Sequence, residues 1–484
     1  MITWGISGNS HDAALAVFQD DTVVFASHSE RFSGKKNDRD LCQSLVDYAR
    51  QWGEPDQVVW YEKPIWKTTR QLYAGQGFKD NDIKSYLKQW GIDAPISYQW
   101  HHESHAAAGF YTSPFTEATV VVVDAIGEWD TLTIWRADQQ GLKKIYSLKY
   151  PHSLGLWYSA MTQRIGLKPN EEEYILMGMA AYGDPNKLVN RIHNDFFKAS
   201  SDPVKFSRDL HKGCIDWAPD LVVNDYFDIA AATQTLYEHY FFRILTKAIE
   251  LNASENLVLM GGCALNCLAN NLTAKLYKNT WIMPNPGDAG SSIGAVLAKN
   301  KKHITWPGPY LGYNIEPVAS NEAIVDYLIS NKICGVAQGP AEFGPRALGN
   351  RSLFADPRGN DIKDRVNEIK HRQTFRPFAP MILEELADTY FDMPVTVSPY
   401  MQYVARCKVP ESFPAIIHAD KTSRVQTVGK QDNPRVRALL ELWYKRTGCP
   451  MLLNTSLNIK GQPMVNDLAD AKAFEDHYGV KVFT

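Results

Sequence analysis

The sequence predicts an α/β chain built of two units, and three observations point to it. The chain opens as strand, turn and strand: "ITWGIS" precedes Gly8-Asn9-Ser10, and "AALAVFQDDTVVFASH" turns at Asp20-Asp21 as a hairpin. A second strand pair, "ATVVVVDAIG" with "DTLTIWRAD", follows much later. Helical patterns come at "GLWYSAMTQRIG", "AAATQTLYEHYFFRILTKAIEL" and "LANNLTAKLY", and "NLVLM" is a short buried strand running into Gly261-Gly262. After residue 300 the texture changes. "HITWPGPYLGYNIEP" reads as a linker, and a helix, "SNEAIVDYLISN", and a strand, "ICGVAQG", open a second unit.

Two hairpin starts separated by long helices fit the actin-like architecture, in which two α/β lobes close on a nucleotide. The expected units are residues 1–308 and 309–484. No internal repeat and no low-complexity tract is visible in the residues. A formal net charge of −3 argues against indiscriminate nucleic-acid binding but leaves a local groove open. No apolar run has the length of a membrane span, and the N-terminus lacks a basic segment before an apolar core, so a cytoplasmic protein is expected. The seven cysteines form no C-x-x-C pair and read as free thiols.

Chemistry begins at "HHESHAAAGFY", residues 101–111. The two-histidine zinc-protease pattern fails there, because the residue three after Glu103 is Ala106. His101 and His105 remain, four apart and on one helical face. Asp124 ends the strand "VVVVD", and Asp288 sits in "MPNPGDAGSSIGA", a loop opening a small-residue helix. Each carboxylate alone reads first as a cap. Together with the histidines they make a two-nitrogen, two-oxygen set suited to a first-row divalent ion. His102 and Glu103 are left as supporting or structural residues. Gly261 and Gly262 sit between a strand and a turn carrying Asn266, where backbone can approach a nucleotide or merely turn. His11 follows the first glycine turn and is either a satisfied turn residue or a general base.

The second unit supplies cations. "EFGPRALGNRSLFADPRG" carries Arg346, Arg351 and Arg358. Lys370, Arg372, Arg376 and Arg424 follow, and "MLLNTSLN" adds Asn454, Ser456 and Asn458. These cations alternate with Gly, Pro, Phe and Leu, a frame that suits bidentate anion binding better than a solvated helix face.

These stretches together resemble the O-carbamoyltransferase family of antibiotic and nodulation-factor biosynthesis. The resemblance runs through "GISGNSHDAALAV", "SERFSGKKND", "HHESHAAAGFY", "DAIGEW", "YILMGMAAYGDP", "GGCALNC", "PNPGDAGSSIGA", "GPRALGNRS", "IKHRQTFRPFAP", "RVQTV" and "LNTSLNIKGQPMV", in order. It implies an actin-like carbamoyl-transfer unit followed by an α+β carbamoyl-adenylate-forming (YrdC-like) unit. It departs at Leu457, where Phe is usual, and at Ala125, where Gly is usual. The chain also ends soon after "KGQPMVNDLADAKAF", where longer members continue, so an element that helps cover the site is expected to be missing.

The resemblance also implies a two-stage reaction. In the second unit, carbamoyl phosphate and ATP, with Mg2+, give carbamoyl-adenylate, held by Arg346, Lys370, Arg372, Arg424, Asn454, Ser456 and Asn458. In the first, a metal (Fe2+ first, Mn2+ or Zn2+ as substitutes) is held by His101, His105, Asp124 and Asp288. Gly262 and Asn266 approach the nucleoside, and His11 draws the proton from the acceptor hydroxyl. The stretch 58–91 interleaves aromatics with an excess of Lys and Arg, and favours hydroxymethylcytosine in DNA as acceptor over a sugar or antibiotic alcohol. Its bland alternative is a core helix with a solvated face. A nucleotide-binding regulator that transfers nothing is the competing class, and the intact Lys370, Arg372, Ser456 and Asn458 count against it.

Overall fold

The computed structural model describes residues 1–199 and 202–484. They form two compact units: residues 1–29 with 37–306, and residues 30–36 with 307–484.

The first unit holds two five-stranded sheets. One comprises β1 (Ile2–Ser7), β2 (Ala14–Gln19), β3 (Thr22–His28), β4 (Gln57–Trp60) and β5 (Ile96–Tyr98). The other comprises β6 (Ala118–Val123), β7 (Asp130–Asp138), β8 (Gly141–Lys149), β9 (Asn256–Met260) and β10 (Asn279–Trp281). Their orders are β3-β2-β1-β4-β5 and, read from the far edge, β8-β7-β6-β9-β10. In both, three antiparallel strands come first and two parallel strands are added beyond the first of them. The same plan is thus used twice, which is the duplicated lobe of the actin-like fold. The residues carry no visible repeat because strand pairing, rather than sequence, is what is duplicated.

Four helices matter to the site: α1 (Pro64–Tyr73), α2 (His101–Phe110), α3 (Leu154–Arg164) and α4 (Tyr226–Leu251), with α5 (Ser291–Asn300) closing the unit. Strand β6 is a run of buried β-branched residues with neighbours on both sides, as its "ATVVVV" demands. Helix α2 is buried along almost its whole length and is rich in Ala, which lets α5 approach closely. At the crossing, a Cβ on Gly294 would lie 1.9 Å from the Ser104 carbonyl, so only glycine fits there. The helix expected at "LANNLTAKLY" is instead two short turns, Cys267–Asn270 and Thr273–Lys275. Asn270 Nδ2 donates to the Ala264 carbonyl at 2.8 Å and Thr273 Oγ1 to the Asn270 carbonyl at 2.8 Å, side-chain bonds that compete with a continuous helix.

The second unit is built on a six-stranded mixed sheet: β11 (Ile333–Ala337), β12 (Arg351–Ala355), β13 (Ala379–Leu383), β14 (Gln426–Val428), β15 (Met451–Ser456) and β16 (Val482–Phe483). The order is β14-β13-β15-β12-β11-β16. The helices α6 (Asn321–Asn331), α7 (Ile362–Ile369), α8 (Pro434–Thr447) and α9 (Leu468–Tyr478) accompany it. Leu453, Phe354, Met381 and Trp443 are among the fully buried side chains of its core.

Candidate functional site

The first unit converges on His101, His105, Asp124 and Asp288. One ligand atom from each lies within 4.8 Å of all the others. Both histidines come from the first turns of α2, Asp124 from the end of β6, and Asp288 from the turn that leads into α5. The Nε2 atoms of His101 and His105 are 3.1 Å apart. His101 Nε2 is 3.2 Å from Asp124 Oδ2 and 3.4 Å from Asp288 Oδ1, and His105 Nε2 is 3.3 Å from Asp288 Oδ1. A tetrahedral ion with bonds of about 2.1 Å places its ligands roughly 3.4 Å apart. The spacing and the hard-and-borderline donor set therefore fit a divalent cation. Among the four, only Asp288 is part-exposed, which marks the open side.

The surroundings orient these ligands. Ser291 Oγ lies 3.3 Å from His105 Nδ1 and turns Nε2 toward the cluster. Glu128 takes the place of an N-cap on α2, accepting from the His101 amide at 3.0 Å and from the Lys63 amide at 2.8 Å. Asp124 Oδ1 accepts from the Gly262 amide at 3.0 Å. Gly261, at φ +90°, permits this turn, since a Cβ there would meet the Val123 carbonyl at 2.2 Å. Burial and the neighbouring Asp288 push the Asp124 carboxyl up, but His101 and His105 outweigh them and hold it at about 2. Burial would lower the His101 imidazole; Asp288 and Asp124 outweigh it and raise it. His102 points elsewhere, its Nδ1 3.0 Å from Thr133 Oγ1, and burial with His101 beside it keeps it neutral.

His11 has both ring nitrogens engaged: Nδ1 lies 3.2 Å from Asp12 Oδ2 and Nε2 2.9 Å from the Asn170 carbonyl. Burial opposes its charge, but Asp12, with Asp288 and Asn170, raises it to about 10. Asn266 is likewise occupied. Its amide pairs with Gln234 through two 3.1 Å bonds and caps the turn at Ala269. Glu128 and Ser291 were not among the residues singled out in the sequence. An acid four positions after Asp124 and a hydroxyl three after Asp288 were the only signals for them.

In the second unit, Lys370 at the end of α7 is buried. Its Nζ donates to the Ser456 carbonyl and Oγ and, at 2.8 and 3.0 Å, to the carbonyl and Oδ1 of Asn458. Burial pushes its ammonium toward neutrality, and Arg372 and Arg376 add to this, so a bound anion would restore its charge. Arg372 is fixed by Asn367 Oδ1 at 2.8 Å and lies over the Phe378 ring. Asn454, two residues before Ser456 on β15, donates to the Ala347 carbonyl at 3.1 Å, next to half-buried Arg346. Asn454 Oδ1 and Arg424 Nε are buried polar atoms with no partner among the described residues. Two other cations are structural. Arg351 is fully buried and donates to the carbonyls of Tyr313, Gly339, Asn350 and Asn466. Arg358 is paired with Asp356 and lies over Trp443.

Comparison with known proteins gives the class. Residues 59–297 match the family described as Carbamoyltransferase N-terminus and residues 325–483 that described as Carbamoyltransferase C-terminus. Nodulation protein U of Sinorhizobium fredii is 34% identical, over 94% of this chain and 93% of the relative. The 3'-hydroxymethylcephem-O-carbamoyltransferase of Amycolatopsis lactamdurans is 27% identical, over 97% of this chain and 95% of the relative. An uncharacterized protein of Synechocystis is 33% identical, over 96% of this chain and 93% of the relative. The chain belongs to the carbamoyltransferase family. It is a transferase, and the regulator alternative falls away.

Proposed function

We propose that this enzyme moves a carbamoyl group from carbamoyl phosphate, through carbamoyl-adenylate, to an acceptor hydroxyl. The observation that supports the reading is the presence of two polar clusters, one in each unit: buried Lys370 bonded to Ser456 and Asn458, read as the anion cradle, and a two-His, two-carboxylate cluster in the first unit. In the cradle, with Mg2+ accompanying ATP, water bonds to the phosphorus of carbamoyl phosphate and the bond from that phosphorus to the carbamoyl oxygen breaks, giving phosphate and carbamate. A carbamate oxygen then bonds to the α-phosphorus of ATP as pyrophosphate leaves. Lys370, Arg346, Arg372 and Arg424 neutralise the anions, and Asn454 donates to them. In the first unit the acceptor oxygen bonds to the carbamoyl carbon and the bond to AMP breaks. His11, charged below about pH 10 while it holds the Asn170 carbonyl, takes the hydroxyl proton only once it has lost both that contact and its own Nε2 proton. A divalent ion held by His101, His105, Asp124 and Asp288, Fe2+ before Mn2+ or Zn2+, supplies charge stabilisation where the acyl oxygen becomes negative. In this reading Gly262, whose amide donates to Asp124, and Asn266, paired with Gln234, are the adenylate contacts.

The acceptor that the chain favours is 5-hydroxymethylcytosine in DNA, supported by the basic and aromatic stretch 58–91. The relative named for a cephem supports a small-molecule alcohol as the second reading. Purified protein given carbamoyl phosphate, ATP and Mg2+ should release pyrophosphate, and mass spectrometry across an acceptor panel should find the gain of one carbamoyl group. No pyrophosphate under any metal and acceptor would refute the reading.

A further inference from the structure

Helix α1 and the loop after it form an unusual surface in the first unit. Between Lys63 and Lys79 the sequence has four cations and no carboxylate. Rings stand out among these cations: Trp66 is 50%, Tyr73 70% and Phe78 73% exposed, with Trp100 at 41% alongside. The Trp66 and Trp100 rings are 5.9 Å apart, and Lys63 Nζ lies over Trp100 at 5.9 Å. Such an apolar rim is expensive to leave in water unless something covers it.

The inner face of the same helix lines a cavity of about 230 Å³ that reaches His101. Drug-sized ligands fill roughly 300–1,000 Å³, so this one has room for a single ring and leaves the remainder of a larger acceptor on the rim. Arg39, Lys67, Arg70 and Lys79 border the cavity against one carboxylate, Glu62, which is tied to Lys67 at 2.6 Å. Arg70 is buried, and its one hydrogen bond among the described residues is from Nε to the Glu128 carbonyl at 3.2 Å. Its two terminal nitrogens therefore have donors to offer a ligand. Lys79 is exposed and makes no ion pair among the described residues. Exposed rings interleaved with cations along 63–79, on a segment whose Lys67, Arg70, Gln71, Gln76 and Lys79 also line a cavity one ring wide, match a strand whose bases stack and whose phosphates are neutralised. A protein surface would bring carboxylates to be paired and would not need the cavity.

We propose that residues 63–79 and Trp100 bind a single DNA strand and deliver one unstacked base to the cavity beside His101. This rests on the DNA reading of the acceptor and specifies its form: a strand that is already single or locally opened, because a paired base cannot enter. Trp66 and Trp100 stack neighbouring bases, Lys79 and Arg39 take phosphates at the rim, and Arg70 takes one at the mouth.

The test uses the full chain and a single-stranded oligonucleotide with one 5-hydroxymethylcytosine, followed by fluorescence anisotropy over a salt series and by carbamoyl transfer. Replacing Trp66 and Trp100 together by Ala should weaken oligonucleotide binding at least about tenfold. Lys79→Gln, on an exposed loop where folding is not at stake, should lower the slope of log affinity against log salt by about 0.7. The oligonucleotide should also have a far lower KM than the free nucleoside, an advantage that the double variant loses. Equal KM values for strand and nucleoside, or unaltered binding and salt slope in both variants, would overturn the proposal. Pyrophosphate release, measured alongside, reports the second unit. Its absence would instead remove the functional reading beneath.

Discussion

Ser291 Oγ stands 3.3 Å from His105 Nδ1, three residues beyond Asp288, so one turn supplies both a ligand and the group that aims another ligand. Groups of this kind fix the imidazole tautomer, and losing one typically costs about 10–100-fold in metal affinity. Ser291→Ala should therefore lower the affinity for Fe2+ or Zn2+ by that factor, while Ser291→Thr, which keeps a hydroxyl, should recover most of it. Metal titration against a competing chelator reads the outcome, and unchanged affinity in the Ala variant would separate Ser291 from the cluster.

The Lys370 ammonium sits among four oxygens of Ser456 and Asn458, next to two guanidinium-bearing side chains that lower its proton affinity. Lys370→Ala should abolish pyrophosphate release from carbamoyl phosphate and ATP. It should leave the metal content at His101, His105, Asp124 and Asp288 at the level of the unaltered chain. Normal pyrophosphate release would move the adenylate chemistry elsewhere.

How much of this was legible in the sequence depends on what each signal reports. Alternation in "ALAVFQDDTVVFASH" and the β-branched run of β6 gave strands where strands occur, because both are properties of consecutive residues. His101 and His105 were legible through their i, i+4 spacing, and the two carboxylates through their places at a strand end and a helix entry. The doubling of the sheet plan was invisible, since pairing order leaves no trace in residue identity. Nothing in "SERFSGK" announces that residues 30–36 pack with the second unit. Partners of polar groups were the other blind spot. The turn at Gly262 and Asn266 is visible in the sequence, but the bonds that Asp124 and Gln234 make to it are not.

Arg351 shows the same limit, and it can be tested. Beside Gly and Asn its guanidinium reads as an anion site, but it is fully buried and donates to backbone carbonyls from four parts of the second unit. Removing a buried charged donor leaves those carbonyls without partners, at a cost of about 3 kcal/mol or more. Arg351→Met should lower the denaturant midpoint of the second unit by a corresponding amount and leave metal affinity in the first unit alone. If stability held while carbamoyl phosphate binding fell, the arginine would belong to the ligand site after all.

His11 gives the pH signature. Its ring faces Asp12 on one side and the Asn170 carbonyl on the other, and its pKa is raised from an ordinary 6.5 to about 10. A group whose pKa is raised on folding adds stability in its protonated form. The contribution is therefore complete below about pH 6.5 and is lost as the pH climbs through about 10. His11→Asn, which cannot protonate, should flatten this part of the stability profile, so that the two chains converge above pH 10 and the unaltered chain is the more stable at pH 6. Denaturant midpoints at a series of pH values measure this directly. The same substitution should stop carbamoyl transfer while pyrophosphate is still released. Transfer that continued unchanged, with the stability profile flattened as expected, would make His11 a structural partner of Asp12 and leave the acceptor's proton to another group.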